Sequence, residues 1–153
     1  MVVETVNENL CINKLISSKK EIIMVEGDMI VPDSKPDVLN TICTSGVVCV
    51  YKKEVLNEKI RIDGNINTYI MYLADNEQEK IRGISTSLDF SETIQVPNIT
   101  QEMECQLETK IKSMESKVIN GRKIAIKATL EVNYNIYSKE EITIVSDIQN
   151  SKD

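Results

Sequence analysis

The sequence predicts an all-β fold of antiparallel sheets, built on a duplicated β-meander, with one short helix after a VPDSKPD corner. Three observations carry that expectation. The chain holds 22 Ile, 14 Val and 10 Thr against one Phe and no Trp. Branching at Cβ restricts χ1 in helices and suits pleated strands. Long segments alternate apolar and polar residues, the signature of a sheet with one wet face. Finally, two segments of the chain resemble one another, each reading as strand, Asn turn and long strand. With 153 residues, 41% of them hydrophobic, the chain is long enough for one domain with a real core.

Residues 1–20 are mixed and polar around Leu10, Ile12, Leu15 and Ile16, and read as an N-terminal arm or leading strand. Residues 21–148 form the β domain, and 149–153 a C-terminal tail. Glu21 to Val31 is strand-like, with Gly27 expected at a bulge or bend. After the corner, Val38, Leu39, Ile42 and Cys43 fall at helical spacing, which predicts one or two helical turns stopped at Gly46. Strands then dominate. Residues 47–53 lead to a turn at Asn57, and 59–73 place Ile60, Ile62, Gly64, Ile66, Thr68 and Ile70 on one face. The polar loop ADNEQEK precedes the strand IRGISTSLDF, and Pro97 closes a further short strand. MECQLETKI points Met103, Cys105, Leu107 and Ile111 inward. From 123 to 137 the alternation is strict, with Ile124, Ile126, Ala128, Leu130, Val132, Tyr134 and Ile136 inward. SKEE, 138–141, reads as a solvated turn.

The internal repeat spans about 47–90 and 110–148. Val55-Leu56-Asn57 matches Val118-Ile119-Asn120, and Lys59-Ile60-Arg61-Ile62 matches Lys123-Ile124-Ala125-Ile126. Asn57 and Asn120-Gly121 are residues for which positive φ is cheap, as hairpin turns require. The outward faces of the two long strands carry Arg61, Asp63, Asn65 and Asn67 in one copy and Lys127, Glu131, Asn133 and Asn135 in the other. They offer no large apolar patch.

Net charge is −6, with the acidic residues dispersed; nucleic-acid binding needs the opposite balance. No apolar run reaches the roughly 20 residues of a membrane helix. The N-terminus lacks the order of a signal peptide, so a cytoplasmic location is expected. Cys11, Cys43, Cys49 and Cys105 form no CxxC pair and there is no histidine to join them, which argues against zinc. They are expected to be reduced, mostly as small buried hydrophobes.

Within VPDSKPD, each proline fixes its own φ and pushes the residue before it toward extended geometry. Asp33 can cap a helix or close an Asx turn, and Asp37 suits a positive helix end. A phosphate loop needs closely spaced glycines and a calcium loop alternating acids around one; neither pattern is present. Pro32, Asp33, Ser34, Lys35, Pro36 and Asp37 therefore read first as a stiff structural corner and second as a contact motif. Without histidine the usual nucleophile–base pairs are unavailable. No catalytic, cofactor-binding or metal-ligating set is expected, and the chain is not read as an enzyme.

VEGDMIVPDSKPDVLNTI, VLNEKIRIDGNINTYIMYL, QVPNI and VINGRKIAIKATLEVNYNIY, in that order and spacing, resemble the SPOCS-domain family of clostridial spore-coat proteins. The likeness covers about residues 21–148 and is strongest to the N-terminal part of SipL-type proteins, which usually carry a C-terminal LysM domain. It implies a structural role in sporulation, as a protein-interaction scaffold for spore-coat assembly. The implied place is the mother-cell cytoplasm at the forespore surface, and the implied partner a morphogenetic ATPase of the SpoIVA type. The sequence departs from the family in having no LysM segment before SDIQNSKD. In the family the ATPase contact is attributed largely to LysM, so this domain is expected to localise, scaffold or weakly self-associate. The rival reading is a small-ligand or glycan-binding β module stacking on Tyr51, Tyr69, Tyr72, Tyr134 and Tyr137; tyrosine also suits the border between core and water.

Overall fold

The computed structural model describes residues 2–75 and 80–151, with side chains over 8–75 and 80–143. Among the described residues six strands follow one another: β1 (Val2–Ile30), β2 (Val38–Leu56), β3 (Lys59–Ala74), β4 (Ile81–Gln95), β5 (Glu104–Asn120) and β6 (Lys123–Ser151). They form two three-stranded antiparallel sheets, β1-β6-β5 and β2-β3-β4. The strictly alternating segments become the middle strands. Ile60, Ile62, Ile66 and Ile70 of β3 and Ile124, Leu130, Val132 and Ile136 of β6 are all fully buried. Each sheet turns its β-branched face onto the other, the arrangement that removes most apolar surface from water.

The predicted helix is absent: the described residues contain only strands and turns. Val38 begins β2, and its register against β3 shifts between Val38 and Asn40, between Thr41 and Cys43, and between Val50 and Lys52. Each bulge inserts a residue and resets the two-residue period. Two bulges three residues apart therefore imitate helical spacing. Gly46 stops nothing; it pairs with Thr68 inside β2. A Cβ there would meet Met114 Sδ at 2.8 Å and Asn67 O at 3.0 Å, so the missing side chain admits β5. Nor does Gly27 mark a bulge. It pairs regularly with Ile126, and a Cβ would lie 2.7 Å from Leu88 Cδ2 of the facing sheet.

Other local expectations change as well. Ser138–Glu141 lies within β6, paired with Lys14–Cys11 of β1, and is not a turn. Positive φ falls on Glu58 (61°) and Asn98 (67°) and on neither Asn57 nor Gly121. Glu58 is held there by backbone bonds from both sides: its N–H donates to Ile99 O and its carbonyl accepts from Val96 N. Of the ADNEQEK loop, residues 76–79 lie outside the described residues, as do 152–153 of the expected tail.

The two sheets meet along two unlike seams. On one side β2 and β5 close on each other through Thr44 Oγ1 and Ser116 Oγ, 2.6 Å apart, and through Lys53 Nζ donating to Cys105 O. On the other, β1 and β4 approach only over a short stretch near Gly27 and Leu88. The β1–β6 ladder is longer than the rest of its sheet. β5 covers β6 only from Lys123 to Tyr137, so Ser138–Ser151 pairs with β1 alone.

Candidate interaction site at the VPDSKPD loop

With Val31 before them, the six predicted contact residues connect the end of β1 to the start of β2, and so cross from one sheet to the other. Val31 and Val38 are buried at either end and anchor the crossing in the core. Between them Pro32, Asp33, Ser34 and Asp37 are exposed, while Lys35 and Pro36 are half-buried. Lys35 N–H donates to Pro32 O at 2.9 Å, which closes a turn with Asp33 and Ser34 at its tip. Asp33 caps nothing, since no helix follows. Its carboxylate stands in solvent, 3.7 Å from Arg122 Nη2.

Arg122, in the turn between β5 and β6, organises the loop. Its Nη1 donates to Lys35 O at 2.7 Å and to Asp37 Oδ1 at 3.1 Å. Its Nη2 donates to Val31 O at 3.0 Å and Pro32 O at 2.7 Å. The planar fork of a guanidinium suits this work, because its donors diverge in one plane while the charge strengthens every bond. The main chain adds Val31 N–H to Arg122 O and Val38 N–H to Gly121 O. Tyr72, a core residue of β3, donates its hydroxyl to Pro36 O at 3.1 Å, and burial pushes that phenol up from its ordinary pKa. The Arg122 amide donates to Asn120 Oδ1, a local Asx turn that sets the hairpin. The motif is thus a rigid corner that displays Asp33 and Ser34.

Two further surfaces stand out. On the outer face of the sheet β1-β6-β5, Glu131 is only 5% exposed although its strand position faces outward. Lys20 of β1 and Lys110 of β5 both ion-pair with it, the latter at 3.1 Å, and their aliphatic stems cover it. The bonds from Lys20 and Lys110 hold its carboxyl below the usual glutamate range, with burial opposing. On the sheet β2-β3-β4 several apolar residues outside the stretches read as outward faces also reach the surface. Leu39 and Ile42 sit at bulge positions and, with Val47, Tyr69 and Ile81, are exposed. Tyr69 and the half-buried Met71 and Leu73 belong to the central strand, so this apolar area lies toward one end of the outer face. Asn67, Asn65, Asp63 and Arg61 fill the other end.

The tyrosines do not form one stacking platform. Tyr72 and Tyr134 are core residues, and only Tyr51 and Tyr69 are well exposed. Cys11, Cys43 and Cys49 are exposed, contrary to expectation, while Cys105 is buried and its thiol is pushed up by burial.

The family model of the SipL SPOCS domain matches residues 37–119, more than half of the chain. The chain belongs to the SPOCS-domain family. The match runs from the end of the VPDSKPD loop through β2, β3 and β4 to the close of β5, and it puts the chain among sporulation-related coat proteins. No curated protein matches the chain, and no solved structure does. No helix among the described residues is long and apolar enough to cross a membrane.

Proposed function

We propose that this SPOCS domain is a structural interaction module of spore-coat assembly, acting as a scaffold and not as an enzyme. It works in the mother-cell cytoplasm at the forespore surface, within reach of a morphogenetic ATPase of the SpoIVA type. The observation that carries the reading is the apolar end of the outer β2-β3-β4 face, where Tyr69, Ile81 and Val47 lie open to solvent. Exposed apolar area gathered on one face marks a contact surface. Its modest extent suits weak self-association that strengthens when many copies are held side by side. The rigid VPDSKPD corner gives the module a second, polar display.

A fluorescent fusion of the domain, followed in sporulating cells, tests this. The expected signal gathers at the forespore and disperses in a Tyr69→Lys/Ile81→Lys variant that keeps its β-type circular dichroism. Diffuse fluorescence of the unaltered domain throughout sporulation overturns the reading.

A further inference from the structure

The seam between β1 and β4 is unfinished. Among the described residues β1 pairs only with β6 and β4 only with β3, so each strand turns a free edge toward the other. No backbone hydrogen bond joins those edges among the described residues. Between them runs a groove of about 360 Å³. Ile23 and Ile94, buried and inward-facing, form its floor. The next inward positions along the two strands are Glu21 and Glu92, both half-buried lining residues of the same groove. Neither carboxylate has a cationic partner among the described residues. Elsewhere the fold does supply cations to its shielded carboxylates, as Lys20 and Lys110 do for Glu131.

We propose that this seam takes an extended polypeptide segment of another protein, one that carries a lysine or arginine flanked at alternate positions by apolar residues. An added strand finds backbone donors and acceptors ready on the edge of β1 or β4. Because its side chains alternate, those of one face enter the groove together. Apolar ones cover Ile23 and Ile94, and the cation reaches Glu21 and Glu92 in a partly desolvated place where a charge-assisted bond is strong. Charge decides the occupant. The chain is acidic, at −6, and a second copy docking by the same edge would bring its own Glu21 or Glu92 against these. The opposite seam is already closed by the Thr44–Ser116 and Lys53–Cys105 contacts.

The inference goes beyond the coat reading. Peptide binding in solution tests the groove and cellular localisation tests the coat role, so either can fail alone. The probe is a nine-residue blocked peptide of alternating threonine and valine with arginine replacing the central valine; its control carries glutamate there. Calorimetric titration of the full chain should show the arginine peptide binding at least about tenfold tighter, the worth of one charge-assisted bond. Hydrogen exchange should slow at 21–25 and 91–95. Glu21→Gln with Glu92→Gln should remove the preference. Should that variant melt early, raised salt on the unaltered chain must shrink the preference instead. Failure of the arginine peptide to bind, equal binding of both peptides, an undiminished preference in the double variant, or protection on β2 and β5 would overturn the proposal. So would self-protection of the seam at high concentration without peptide, which makes the occupant a second copy.

Discussion

Arg122 donates to three main-chain carbonyls and one carboxylate of a loop some 85 to 91 residues away in sequence. Arg122→Ala leaves the carbonyls of Val31, Pro32 and Lys35 without that donor, and an orphaned, partly buried acceptor costs about 1–3 kcal/mol. A loss of that order is expected in urea denaturation. Arg122→Lys should recover only part of it, because an ammonium cannot span diverging acceptors as a planar fork does. Pro32→Ala and Pro36→Ala should each cost about 0.4–1 kcal/mol through the unfolded chain. Asp33→Ala should leave the midpoint unchanged, since its carboxylate lies in solvent. If the proline and Arg122 variants keep full stability, the corner is not what joins the sheets. The loop's stiffness was legible in its prolines. Its partner was not, because a contact between distant residues leaves no local pattern; the nearest sign was the Asn-Gly turn that precedes Arg122.

Among the elements, β3 and β6 were readable because nothing interrupts their two-residue period, and every inward residue named from the sequence there is buried or nearly so. β2 was misread at its start because Leu39 and Ile42 occupy bulges. The shielding of Glu131 was equally hidden: its place on the wet face was evident, but the two lysines that cover it come from other strands. That triad has a pH consequence. Its folded pKa is lowered from the ordinary 4.5, so its contribution is fully present above that value and is lost as pH falls through the folded one. Thermal melting between pH 7 and pH 3 should therefore show a steeper acid decline in the unaltered chain than in Glu131→Gln. Parallel declines would mean that the triad contributes nothing. The β1–β6 extension makes a different prediction. A two-stranded ribbon is marginal in water, and Leu10 and Ile12 are exposed along it. Amides of residues 8–14 should exchange at least about a hundredfold faster than those of 124–136 in the three-stranded region. Equal protection would mean that something else covers the ribbon.

For the molecule as a whole, the sheets bury their β-branched faces and leave an acidic surface on which the outer β2-β3-β4 face carries an apolar end. Sedimentation over a wide concentration range should show reversible, weak self-association, and Tyr69→Lys should abolish it. A tight dimer at every concentration, or a strict monomer at the highest, would remove self-assembly through that face from the account.

The pairing of Val2 with Ser151 bears on how the molecule responds to force. Those two residues are antiparallel neighbours at the tip of the ladder, so tension applied through them pulls across the strands and not along them. The load then falls on one hydrogen-bonded pair at a time, and the ladder opens like a zip from the tip toward Tyr137. A shear arrangement would load all the pairs together and resist far more. In an optical trap the unaltered chain should extend first at low, nearly constant force while the two-stranded ribbon peels. A sharper rip should follow when the front reaches β5 and the buried core.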